Sequence, residues 1–246
     1  MRKAATYLAL VLAILLTGCN GGNKLTGFWD DVDVTVTEDN YSDTQDRFAQ
    51  FAELLACAPA AKADVALESL FGKIKQNEVD YIIYSQWMES AFHNYFSPYR
   101  NPRLFGKAVE HFAADGVLAP EELERLQTLA AQDQLNRQGG PCTVPDEAKT
   151  EGPTLYLVLN LDCRTCLQSL AALSGEYPEA EHIALCFGYN QIPEVSGWKY
   201  LKPEGLDEIF ELEAAPFWFL TAADGTIQIP YSGEFNAPDF ANPQDL

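Results

Sequence analysis

The chain is short of positive charge. Sixteen lysines and arginines stand against thirty-six aspartates and glutamates in 246 residues, a formal charge of −20. Such a chain has no electrostatic hold on a phosphate backbone and is repelled by anionic headgroups, so nucleic acid and a charge-bound membrane surface are excluded as partners. Histidine is scarce as well. His93, His111 and His182 are the three present, few for a metalloenzyme, and each reads as a packing or surface residue. A zinc site of thiolates would need a second close cysteine pair, which the sequence lacks. There is no convincing internal repeat, and no motif implies a metal, nucleotide or flavin, so no cofactor is expected.

The long apolar run that does occur lies at the N-terminus. Arg2 and Lys3 precede Ala4 to Leu16, a stretch too short to span a bilayer as a stable helix. It ends in Leu16-Thr17-Gly18-Cys19, which resembles the bacterial lipobox. The resemblance implies cleavage before Cys19, diacylglycerol on the Cys19 sulfur and acylation of the new N-terminus, with residues 1–18 as a lipoprotein signal peptide. Several acyl chains anchor a soluble domain stably, and the membrane is then met only through this anchor. Asn20 carries no sign of inner-membrane retention. The expected address is the cell envelope, at the outer membrane facing the periplasm. Disulfides form in that compartment. Five cysteines follow Cys19, an odd number, so at least one thiol stays unpaired or pairs outside the chain.

Residues 19–40 begin polar and Gly-rich and read as a tether, with Phe28 and Trp29 suited to docking on the body. Residues 41–138 carry helical periodicity and about five helices. Phe48, Phe51, Leu54 and Leu55 form one stripe, and Leu67, Leu70, Phe71 and Ile74 another. Tyr81, Tyr84, Trp87, Met88, Phe92 and Tyr95 make an aromatic stripe that reads as core. Pro59 separates the first two helices. Asn101 is placed to cap a helix that opens on Pro102, and Pro120-Glu121-Glu122 opens the next with acid at its positive end. Cys57, in Leu-Leu-Ala-Cys-Ala-Pro, reads as core.

Residues 139–153, rich in Gly and Pro, mark a linker or domain junction. From residue 154 the period changes. Thr154–Leu161 is a near-continuous apolar run, as in a strand covered on both faces. Cys163-Arg164-Thr165-Cys166 follows and opens a helical pattern. A second strand at 182–189, a short helix near 205–214, and strands at 216–220 and 226–231 complete the order β-α-β-α-β-β, with Asp224-Gly225 as a hairpin signal.

A strand, a CxxC pair at a helix start, a second strand, a helix, an X-Pro opening a third strand and a hairpin together resemble the thioredoxin fold, most of all its TlpA-type periplasmic branch. The fold class expected is therefore an α+β two-part chain: an N-terminal helical domain, then a trimmed thioredoxin-like α/β domain at 154–246 with a mixed four-stranded sheet. The matching positions are Cys163 and Cys166 for the redox pair and Pro216, after Ala215, for the cis-proline that shapes the substrate groove. The front half, with Phe28-Trp29-Asp30-Asp31 and the helical array, resembles the helical region called DUF5106 in lipoproteins of Bacteroidetes. The sequence departs from the pattern at Asp162, where the family has tryptophan. A carboxylate there is expected to oppose the thiolate of Cys163, against the helix dipole and Arg164. The Arg-Thr dipeptide lacks the usual proline, and the tail after residue 235 is too short for the usual closing helix.

On these grounds the chain reads as a lipid-anchored envelope thiol–disulfide oxidoreductase. Cys163 attacks, Cys166 resolves, the partners are protein thiols and disulfides, and the helical domain holds an envelope protein partner. The alternative is a non-catalytic interaction lipoprotein on a degenerate thioredoxin-like scaffold. Cys186 reads as a buried small hydrophobe, and a disulfide between Cys142 and Cys186 stays open.

Overall fold

The computed structural model describes residues 25–191 and 195–232. The leader, Cys19 and the C-terminal tail lie outside these residues. The chain divides into two compact units. The first comprises the described residues up to His93 together with Ser97–Gln127, and the second comprises Asn94–Phe96 and everything from Thr128.

Five helices lie between Tyr41 and Gln134: α1 Tyr41–Cys57, α2 Ala60–Ile74, α3 Glu78–Phe92, α4 Pro102–Asp115 and α5 Pro120–Gln134. Their ends follow local chemistry. Asn77 caps α3 by accepting from the amides of Val79 and Asp80. Asn101 caps α4 by accepting from Leu104 at 3.1 Å, with Pro102 in the first turn where its missing amide costs nothing. Gly116, at φ +64°, closes α4 in the left-handed conformation that a side chain would resist. The first unit packs the expected stripes inward: Phe48, Phe51, Leu55, Leu67, Leu70, Phe71, Tyr81, Tyr84 and Phe92 are all buried.

Two details differ from the periodicity. Cys57 is exposed: it is the last residue of α1 and falls off the 48/51/52/55 stripe. Tyr95 lies beyond the end of α3, and its ring packs on Phe217 and Tyr231 in the core of the second unit, with centroids 4.7 and 4.9 Å away. Ahead of α1, Leu25 and Trp29 are buried. Trp29 sets its ring edge-on to Phe51 and Tyr84, while the Lys73 ammonium collects the carbonyls of Trp29, Asp30 and Val32.

The second unit is built on a mixed sheet: β1 Thr154–Asn160, β2 Glu181–Phe187, β3 Lys199–Leu201, β4 Phe217–Thr221 and β5 Ile227–Ser232. Their order across the sheet is β3-β2-β1-β4-β5. β1 pairs parallel with β2 and antiparallel with β4. Helix α6, Arg164–Leu173, connects β1 to β2, as a parallel pair requires, and a short α7, Leu206–Ile209, precedes β4. The sheet has five strands where the sequence reading counted four. The extra one, β3, is three residues long and half exposed at the edge, too short to show an alternation.

Both faces of β1 are covered, which explains its unbroken apolar run. Leu155, Leu157 and Leu159 join Cys166, Leu170 and Leu173 of α6 in one cluster. Tyr156 and Val158 join Phe210, Phe217, Phe219 and Tyr231 in the other. The start of the Gly- and Pro-rich segment, residues 139–142, is hydrogen-bonded along the start of β5 and the turn before it, where Ile227 both accepts from Gly139 and donates to Gly140. Asn136, buried and at φ +48°, holds the chain just before it through Thr143 and the Tyr231 hydroxyl. The hairpin β4–β5 turns at Asp224-Gly225, with Gly225 at φ +77° and the Asp224 carboxylate accepting from Thr226.

Candidate redox site at the end of the first strand

Strand β1 stops at Asn160, and the chain turns so that Cys163 becomes the N-cap of α6 in an extended conformation. Its Sγ accepts a hydrogen bond from the Cys166 amide at 3.3 Å. Serine or aspartate fills this role in most helices; here a sulfur does, which favours negative charge on it. The helix dipole acts in the same direction. Cys163 is half-buried and Cys166 buried. Burial, and then the contact with the Cys163 side chain, push the Cys166 thiol up to about 12. The two sulfurs are therefore unequal: Cys163 is the accessible one that receives an amide, and Cys166 is held protonated behind it.

The Cys166 Sγ lies 4.0 Å from the carbonyl of Ala215. The next peptide bond, Ala215–Pro216, is cis. The chain entering β4 thus passes beside the cysteine pair, some fifty residues away in sequence, and the four residues singled out for the site, Cys163, Cys166, Ala215 and Pro216, come together.

Asp162 makes contacts that its place beside Cys163 does not announce. Its carboxylate reaches the chain just after β2. It accepts from the amide of Tyr189 at 2.9 and 3.1 Å and from the amide of Asn190 at 2.9 Å. The carboxylate beside Cys163 thus also holds two backbone amides, as a clamp between two loops. Gly188, at φ +98°, makes the clamp possible. A Cβ there would come within 2.7 Å of both Asn160 Oδ1 and Asp162 Oδ2. The Lys202 ammonium bonds the Gly188 carbonyl, and the Asn190 side-chain amide donates to the Leu161 carbonyl at 3.3 Å. Sequence reasoning missed Asn160, Gly188, Tyr189 and Lys202. The signal available was Gly188-Tyr189-Asn190 directly after a strand, a turn sequence with an aromatic inside it.

Cys186 shares the apolar cluster of Cys163 and Cys166, whereas Cys142 packs in the other cluster. Cys186 is fully buried, as its place in a strand predicts, and burial pushes its thiol up to about 12. Cys142 packs against the opposite face of the sheet from Cys186. A disulfide between them would have to cross the sheet, so that alternative is closed.

No family model and no curated protein matches the chain. Among solved structures, it is similar to the crystal structure of a thioredoxin-like protein from Bacteroides caccae, with a TM-score of 0.65 over 85% of this chain and 87% of that one, at 16% identity. A likeness at that identity speaks to fold. Together with the sheet order, the cysteine turn and the cis Ala215–Pro216 bond, it makes the chain a helical region followed by an α/β domain of thioredoxin-like fold.

Proposed function

We propose that the chain is a thiol–disulfide oxidoreductase of the TlpA-like kind, anchored in the cell envelope through Cys19 and facing the periplasm. The observation that carries the reading is the hydrogen bond from the Cys166 amide to the Cys163 Sγ, with the Cys166 thiol behind it against the Ala215 carbonyl. It gives the two sulfurs the different roles that disulfide exchange needs.

The exchange runs in two steps. The Cys163 thiolate attacks one sulfur of a partner's disulfide; a Cys163–partner bond forms, the partner's own S–S bond breaks, and the departing thiolate takes up a proton. Cys166 then gives up its proton and attacks the Cys163 sulfur. A Cys163–Cys166 disulfide forms and the partner's second thiol leaves. Two electrons pass to the partner, and an envelope protein dithiol returns them by the reverse of these steps. The amides at the start of α6 stabilise the Cys163 thiolate both as attacker and as leaving group. The helical first unit, similar to the DUF5106 type in pattern, is the part that holds an envelope protein partner.

Trapping tests this reading. Cys166→Ser leaves Cys163 able to attack and unable to be released, so mixed disulfides accumulate with protein partners. Cys163→Ser accumulates far fewer and reduces no model disulfide. Equal inertness of wild type and Cys163→Ser, with no adduct on Cys166→Ser, would leave the non-catalytic scaffold in its place.

A further inference from the structure

Tyr189 is 98% exposed, the most exposed of the large apolar side chains among the described residues. An aromatic ring in water is ordinary on a loose loop. This one is on a loop that is tied down at its root. The amide of Tyr189 is held by both oxygens of Asp162, the residue that precedes Cys163, and the next amide is held by the same carboxylate. Gly188 before it adopts a conformation that only glycine accommodates in that space, and its carbonyl is held by Lys202. The backbone of Tyr189 is thus held by the residue that precedes the nucleophilic cysteine, with its side chain left in solvent. Holding a loop in place lowers the entropy lost when its side chain is covered, which is the arrangement expected of a binding contact.

We propose that Tyr189 is a docking residue for polypeptide substrates: it takes an apolar or aromatic side chain that lies beside the substrate's cysteine while that cysteine's sulfur meets Cys163. Asp162 is the positioning residue that keeps Tyr189 at the rim of the site. The inference rests on the oxidoreductase reading and names its substrate class, unfolded or extended polypeptide disulfides with an aromatic flank. An acidic chain adds a preference against acidic flanks.

The experiment uses the purified full chain with dithiothreitol as electron donor and two synthetic disulfide-bridged peptides that differ only in carrying phenylalanine or glycine next to the cysteine. Wild type prefers the phenylalanine peptide by about fivefold in kcat/KM, the gain an aromatic pair gives beyond simple burial, with the difference in KM. In Tyr189→Ala the preference falls to about one, and Tyr189→Phe keeps it. Asp162→Ala weakens it as the loop is released. A wild-type preference near one, or a preference that survives Tyr189→Ala, overturns the docking role while leaving the oxidoreductase reading in place. Wild type that turns over neither peptide overturns both.

Discussion

The Cys166 amide donates to the Sγ of Cys163 at 3.3 Å, so the second cysteine of the pair stabilises the first through its backbone while its own sulfur is buried. Two cysteines three positions apart at the start of a helix are thus made unequal by geometry: one is half-buried and receives an amide, and the other is buried.

That split sets the order of alkylation. In the native, reduced protein, iodoacetamide near neutral pH modifies Cys163 and the exposed Cys57 first. Cys142, Cys166 and Cys186, whose thiols burial pushes up to about 12, stay unmodified until the chain is unfolded. Peptide mass mapping at short times reads this directly. Modification of Cys166 as fast as Cys163 would contradict the asymmetry.

The buried thiols also make stability pH-dependent at the alkaline end. A thiol held at about 12 in the folded state and at an ordinary 9.0 in the unfolded chain is deprotonated first in the unfolded chain. Its contribution to stability is whole below about pH 9 and is lost as the pH rises through about 12. Comparison of wild type with Cys186→Ala isolates one such group from the lysines and tyrosines that titrate alongside. The urea midpoint of the wild type should fall more steeply than that of Cys186→Ala between about pH 8 and about pH 11. Parallel curves would show that Cys186 does not contribute.

The loop clamp separates structure from contact. Asp162→Ala removes a charged acceptor from two amides and should cost about 1–3 kcal/mol. Gly188→Ala forces a Cβ to within 2.7 Å of two oxygens at φ +98° and should cost about 1–3 kcal/mol or more. Tyr189→Ala, at a side chain that touches solvent, should stay within about 0.5 kcal/mol of wild type. Denaturant midpoints followed in the second unit check all three. A Tyr189→Ala loss as large as that of Asp162→Ala would mean the ring is part of the loop's own packing.

Much of the second unit is legible because its signals are local. The run Thr154–Asn160 is unbroken because β1 is buried on both faces, the Asp224-Gly225 turn needs its glycine, and Ala215-Pro216 supplies the cis bond. The caps at Asn101 and Gly116 are equally local. What was not legible depends on partners distant in sequence. β3 is recognisable only from its register against β2, Tyr95 continues a helical spacing that the helix itself does not, and Cys57 is exposed because α1 ends on it. Asp162 is the instructive case. Its charge and its place beside Cys163 are visible in the sequence, but the two amides that its carboxylate holds lie twenty-seven and twenty-eight residues further on.

The most direct test of the account is a redox titration of Cys163 and Cys166 with thiol trapping. The account predicts a pair that shifts between dithiol and disulfide at about −120 to −270 mV, the span of working oxidoreductases. A pair that remains a disulfide to potentials below about −300 mV would be a structural bridge, and the oxidoreductase reading would fall.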